Sequence, residues 1–287
     1  MKSQIIQWYP GHIAKAEKQL SKNLSKVDLV IEVRDARIPM ATSHPHLQQW
    51  IKGKQHILVI NRKDMITSLA LSAWNDLFKK EGISALWCNA QEGIGVNHIK
   101  NLAIEAGKSL NARRLSRGMR IRSVRALTLG FPNVGKSALI NRLVKRKVVE
   151  SSRRAGVTRS LRWVKLGQSL DLLDAPGVLP PKLTDQKAAL RLAICDDIGE
   201  ASYDIEQIAI SFIEIVKQLE LKPESGAQLN KLEKRYGLLF KKDKYYAHKW
   251  LSEASNKHTS GDIRRMSQRL IDDFRRSLLG LIALELP

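Results

Sequence analysis

Residues 130–137 read Gly-Phe-Pro-Asn-Val-Gly-Lys-Ser, with glycines and a Lys-Ser pair at the spacing G-x-x-x-x-G-K-S. Glycine lets a backbone curl until successive N–H groups converge, and the N-terminus of a following helix adds partial positive charge. Such a loop holds phosphate oxygens. Here the N–H groups of Asn133, Val134, Gly135, Lys136, Ser137 and Ala138 form the cradle. The Lys136 ammonium is expected to reach the β- and γ-phosphates, and the Ser137 hydroxyl to ligate Mg²⁺. Downstream, Asp174-Ala175-Pro176-Gly177 offers a carboxylate for the same metal and a Gly177 N–H for a γ-phosphate. Thr158, in Gly156-Val157-Thr158, lies between loop and carboxylate, where a switch threonine coordinates that metal; alone it is an ordinary loop threonine.

These groups need strands and helices to present them. Short apolar runs at Leu29–Val33, Ile57–Ile60, Ala85–Cys88 and Ala126–Leu129 read as strands, and 161–166 and 170–174 as two more. Helical patterns fall at 13–25, 43–52, 68–81, 96–109 and from about Lys136 to Val144. Strands alternating with helices predict an α/β fold, a doubly wound and mostly parallel sheet. Past Pro180 and Pro181 strand patterns vanish, and helices are predicted at 185–195, 204–219, 226–236 and 260–279. The expected division is a nucleotide-binding domain over 1–180 and a small all-α domain over 181–287. The last helix places Ile263, Met266, Leu270, Phe274, Leu278 and Leu281 at i, i+3/i+4 spacing.

The loop alone does not choose a base. Asn61-Arg62-Lys63-Asp64 follows the second strand directly, at the edge where such sheets bind ligands. A carboxylate accepts hydrogen bonds from guanine N1–H and N2–H₂, a donor pair that adenine lacks. Asp64 therefore predicts guanine, and an unpaired carboxylate penalises the wrong base. Asn89-Ala90 follows the third strand, where a backbone N–H can meet guanine O6. An N-x-x-D tetrad by itself reads equally as a capped turn.

Charge points to a second partner. Against 28 Asp and Glu stand 49 Lys and Arg, a net +21 on 287 residues with 43% hydrophobic content. A chain so basic works against a polyanion, either nucleic acid or an anionic membrane surface. No apolar run approaches the roughly 20 residues that span a bilayer, and Met1 to Trp8 lacks a signal-peptide core, so nucleic acid is favoured. From Ala106 to Val149 there is no acidic residue, and Arg113, Arg114, Arg117, Arg120, Arg122 and Arg125 crowd a predicted linker. That linker and the arginines of 260–279 are the expected phosphate contacts; Trp163 and Trp250 serve either base stacking or packing. Two cysteines, Cys88 and Cys195, imply no disulfide framework and fit a reducing, cytoplasmic setting. No metal-ligand spacing surrounds His44 and His46.

Taken together these residues resemble the motifs of translation-factor-like GTPases in rotated order: base recognition first, then phosphate loop, switch threonine and D-x-x-G. The chain is similar to the ribosome-biogenesis GTPase A family of circularly permuted GTPases. The likeness includes Trp8-Tyr9-Pro10-Gly11-His12, Asp35-Ala36-Arg37-Ile38-Pro39 and the tail Leu279-Gly280 to Leu284-Glu285. It implies a GTP- and Mg²⁺-dependent hydrolase in late assembly of the large ribosomal subunit, binding precursor rRNA as a monomer. It also implies K⁺ held by Asn133 and, since Val178 stands where many GTPases carry a water-orienting Gln, a catalytic role for His12 beside Lys136. Arg62 replaces the usual Lys, its stem packing on the base; Ala155 stands where Pro is frequent. The alternative is an RNA-binding scaffold that holds GTP without turnover; an ATP-dependent enzyme is disfavoured by Asn61 and Asp64.

Overall fold

The computed structural model describes residues 6, 20–148, 161–175, 177, 179–180, 185–241 and 245–287. His12, Thr158, Ala155 and Val178, and most of the helix expected at 13–25, lie outside the described residues. Six strands form one sheet: β1 (Leu29–Asp35), β2 (Gln55–Asn61), β3 (Ala85–Trp87), β4 (Val124–Leu129), β5 (Arg162–Leu166) and β6 (Leu170–Asp174). Their order is β3-β2-β1-β4-β6-β5, all neighbours parallel except the β5–β6 edge pair. From β1 the chain moves outward through β2 to β3, and from β4 it turns to the other side, reaching the edge as β5 and returning as β6 beside β4. A crevice therefore opens where β1 and β4 end, the place at which such sheets bind ligands.

β1 lies at the centre and all seven of its residues are buried. Its Val and Ile side chains fit a pleated strand covered on both faces. Leu29, Ile31 and Val33 face a large core shared with α3 (Val96–Leu115) and α4 (Lys136–Val144), while Val30 faces Trp50 of α1 (Leu47–Ile51). α2 (Ser68–Lys80) buries Ala70, Trp74 and Phe78, spaced i, i+4 and i+8, against Leu58 and Ile60 of β2. Thr67 caps it, accepting from the Ala70 N–H at 3.1 Å.

After residue 185 come α5 (Gln186–Ile194), α6 (Ile205–Leu219), α7 (Leu229–Tyr236), α8 (Tyr246–His258) and α9 (Ile263–Arg275). α6 carries the buried stripe Ile208, Phe212, Ile213 and Val216, and its Phe212 ring lies 4.9 Å from that of Phe274. The last residues turn back to the sheet. The Glu285 carboxylate accepts from the N–H groups of Met40 and Ala41, the Trp74 indole donates to the Glu285 carbonyl, and Ala283 joins the Trp74 cluster.

Three sequence expectations need correction. α3 runs to Leu115, so Arg113 and Arg114 end a helix rather than begin a linker; cations in a last turn suit the helix dipole. α8 was not foreseen at all. The last helix stops at Arg275, where Ser277 takes a left-handed turn, so Leu278 and Leu281 leave the buried face and are exposed. Its arginines also divide: Arg275 donates to the carbonyls of Ala193 and Ile194, tying α9 to α5, and is no free phosphate contact.

Candidate functional site: a nucleotide cleft assembled across the sheet

The turn after β4 and the turn after β2 are far apart in sequence and touch in space. Asn61, buried at the end of β2, donates from Nδ2 to the Val134 carbonyl at 2.8 Å. Its Oδ1 accepts the Ala90 N–H at 2.9 Å and lies 3.4 Å from the Cys88 Sγ. One side chain thus ties the expected base-reading turn, the phosphate loop and the loop after β3 into a single rim. The phosphate loop leaves room for this contact only because residue 135 is glycine. Its φ is +102°, and an added Cβ would lie 2.1 Å from Asn61 Nδ2.

Gly135→Ala is therefore expected to do two things: strain the backbone by about 1–3 kcal/mol and push Asn61 out of its bridge. The expected outcome is a loss of roughly 10²-fold in affinity for a fluorescent GDP analogue. Affinity equal to the parent's would refute the close approach.

Gly135 precedes α4 with no side-chain cap, so the first N–H groups of that helix remain available to an anion. Lys136 is buried and its ammonium donates to the Gly130 and Phe131 carbonyls at 3.1 and 2.6 Å. Burial lowers its pKa to about 8, against the attraction of Asp174 and Asp197. Asp174 ends β6 in register with Thr128 of β4. Burial pushes its carboxyl up to about 6 despite Lys136 nearby, and Oδ1 has no hydrogen-bond partner. An orphaned, desolvated carboxylate oxygen close to the phosphate loop fits a hard cation. The half-buried Ser137 lies one residue beyond Lys136. Gly177 lies against the loop, where an added Cβ would come within 2.6 Å of the Pro132 backbone.

The base-reading turn departs from expectation in two details. Arg62 is left-handed (φ +63°), and its guanidinium turns to the phosphate loop, donating to the Asn133 carbonyl at 2.5 Å with Nε 3.5 Å from Asp35. The head group thus braces the loop and leaves only the stem to cover a base. Of the Asn89-Ala90 pair, one of whose N–H groups was expected to meet guanine O6, Ala90 donates to Asn61 and Asn89 to the Ile94 carbonyl, while Asn89 Oδ1 caps the next turn, accepting from Gln91 and Glu92 N–H at 3.0 and 3.1 Å. Lys63 donates its N–H to the Cys88 carbonyl, and Asp64 stands exposed on the single 3₁₀ turn Lys63–Met65.

A charged cluster beneath the rim escaped sequence reasoning. Burial would raise the Asp35 carboxyl, yet the Arg37 and Arg62 guanidiniums hold it below its ordinary value. Arg37 grips it at 2.7 and 3.0 Å and also donates to the Cys195 carbonyl. Asn133 donates to the Asp196 carbonyl at 2.6 Å, and Asp197, buried with neither oxygen partnered, is pushed well up by burial and by Asp35. The signal in the sequence was the run of charges Glu32, Arg34, Asp35 and Arg37 at the end of an otherwise apolar strand. His12 and Thr158 lie outside the described residues, so the structure does not place them.

A glycine loop opening a helix, an orphaned buried carboxylate and an N-x-x-D turn tethered to that loop on a doubly wound sheet fit a P-loop GTPase, with the N-x-x-D turn first in the chain. The family described as 50S ribosome-binding GTPase matches residues 125–238. Ribosome biogenesis GTPase A of Bacillus licheniformis is 38% identical over 234 residues, covering 82% of this chain and 80% of that one. Its counterpart in Bacillus cereus is 38% identical over 72% of this chain and 70% of its own length. The structure of GNP-bound YlqF from T. maritima shares the fold, with TM-score 0.59 at 22% identity over 95% of this chain and 98% of that one. The chain belongs to the ribosome biogenesis GTPase A family and is a GTP hydrolase that uses GTP and Mg²⁺.

Proposed function

We propose that this GTPase acts in late assembly of the large ribosomal subunit, binding precursor rRNA and using GTP hydrolysis as the release step. The Asn61 bridge supports this reading most, because it lets one guanine nucleotide touch both halves of the site. Asp64 reads guanine N1–H and N2–H₂, and the N–H groups of Val134 to Ala138 and of Gly177 hold the phosphates. Lys136 leaves the loop carbonyls for the β- and γ-oxygens, an exchange its lowered pKa favours. Ser137, Asp174 and Thr158 would hold Mg²⁺, which neutralises phosphate charge when bound. Asn133 would hold K⁺ in the manner of an internal arginine finger. His12 orients the attacking water when a subunit is bound.

Residues 1–180 form the nucleotide-binding part and 181–287 the RNA-facing part of a cytoplasmic monomer. Asn133–Asp196 and Arg37–Cys195 carry nucleotide state from one to the other. The basic composition and the names of the relatives support the ribosomal partner. Among the described residues no helix is long and apolar enough to cross a membrane.

GTP turnover with and without purified large subunits, in K⁺ and in Na⁺, tests the reading. Subunits in K⁺ are expected to stimulate turnover at least about tenfold. His12→Ala should abolish that stimulation and leave GTP affinity unchanged. Equal turnover in the variant removes His12 from the chemistry. No cosedimentation with subunit precursors under GDP, GTP analogue or no nucleotide would sink the ribosomal assignment.

A further inference from the structure

The strands that carry the nucleotide site at their C-terminal ends begin around a second cleft. It has a volume of about 500 Å³ and is lined by the first residues of β1, β2 and β4 together with the last turns of α3 and the loop that follows. Seven strand residues separate the two ends of β1, about 20 Å at strand rise. This cleft is therefore remote from Asn61 and Lys136.

Its chemistry is two-sided. Arg113, Arg114 and Arg117 bring charge to its lining, and Leu110, Met119 and Val124 provide apolar wall. None of these arginines has a carboxylate within ion-pair distance among the described residues. The one acidic lining residue, Asp28, is already neutralised: its oxygens accept from Arg122 at 2.7 and 2.8 Å and from the Arg125 N–H. Lys54 is also tied, donating to the Val27 carbonyl. Arg114 spends one nitrogen on the Arg120 carbonyl, which folds the loop back over the helix end. The neighbouring surface continues the pattern, with Leu115 and Ile121 61% and 65% exposed among further arginines. Unpaired guanidiniums beside apolar wall suit a ligand with both an anionic backbone and a flat apolar face. Unpaired nucleotides present both; a duplex hides its bases.

We propose that this cleft is an RNA site that takes an unpaired nucleotide, its base against Leu110 and Met119 and its flanking phosphates on Arg113 and Arg117. The identification of the polyanion as RNA rests on the ribosomal reading above. The site also explains the chain's long acid-free stretch, whose first part forms its rim.

Arg113→Glu/Arg117→Glu changes two exposed side chains at a helix end and should leave the fold and GTP binding intact. Wild type and variant are titrated with a labelled single-stranded 12-nucleotide RNA, with a duplex of equal length and with anionic lipid vesicles. The expected result is at least a thirtyfold loss of single-strand affinity and a salt slope lower by about 1.4, two contacts at about 0.7 each. A 4-thiouridine oligonucleotide should crosslink to the peptide containing Met119. Unchanged affinity and slope, or crosslinks confined to other peptides, would overturn the proposal. So would vesicle binding that depends on these arginines while RNA binding does not. Cosedimentation with large subunits separates the two claims: a wild type that fails to sediment defeats the ribosomal reading. A double variant that sediments and binds RNA like wild type defeats only this one.

Discussion

Asp64→Asn is expected to move base preference from guanine to xanthine nucleotides. In the proposed binding mode the carboxylate accepts two hydrogen bonds from guanine, and each bond to a charged group contributes about 1.5–3 kcal/mol. An amide in its place turns one acceptor into a donor, which opposes the guanine amino group and matches the xanthine O2. The expected loss for GDP is about 3–6 kcal/mol, roughly 10²–10⁴-fold, with XDP gaining in the competition. Asp64 is exposed, so the fold should be untouched. A variant that still prefers GDP to XDP would place the base elsewhere and break the link between the β2 turn and the phosphate loop.

Asp174→Asn should change stability and activity in opposite directions. The wild-type carboxyl is 1% exposed, raised to about 6, and has an oxygen without a partner. At neutral pH its charge costs folding free energy even with Lys136 nearby, on the order of 1–3 kcal/mol. An amide of the same shape carries no charge, so the ligand-free variant should melt higher, by about 2–4 °C per kcal/mol. With Mg²⁺ and a GTP analogue the order should reverse, because only the wild type gains from binding the metal. Hydrolysis should fall at least about 10²-fold. Thermal melts with and without Mg²⁺ and analogue check both signs. A ligand-free variant that melts lower would show that Asp174 is held by the fold and not poised for a ligand.

Much of this was legible in the sequence because the decisive signals are local. Gly130 to Ser137 requires a particular loop, and the runs at 29–33, 57–60 and 126–129 are apolar but for Glu32 and Thr128, whichever way they pack. What escaped depends on tertiary contact. Arg62 reads as a base-stacking residue until the structure shows Asn133 and Asp35 within its reach. Ala90 offers its N–H to a base until Asn61 takes it. α8 was hidden because its apolar positions, Ala247, Trp250, Leu251 and Ala254, are interleaved with His, Ser and Asn of weak helix propensity; packing of Trp250 on Phe240 and Tyr236 compensates. The run of 260–279 misled in the opposite way, since leucines continued the helical period past the left-handed turn at Ser277.

The strand order also bears on how the protein is made. β1 is central, and its second neighbour, β4, is encoded almost a hundred residues later. A nascent chain therefore displays its base-reading turn while one long edge of β1 is still unpaired. Closure through Asn61 needs only Val134, made before β5 and β6, while the tie from Asn133 to Asp196 must wait until translation has passed the sheet and entered the helices. Chains that stop short of Gly177 lack part of the pocket, so full nucleotide capture begins only once β6 has been made.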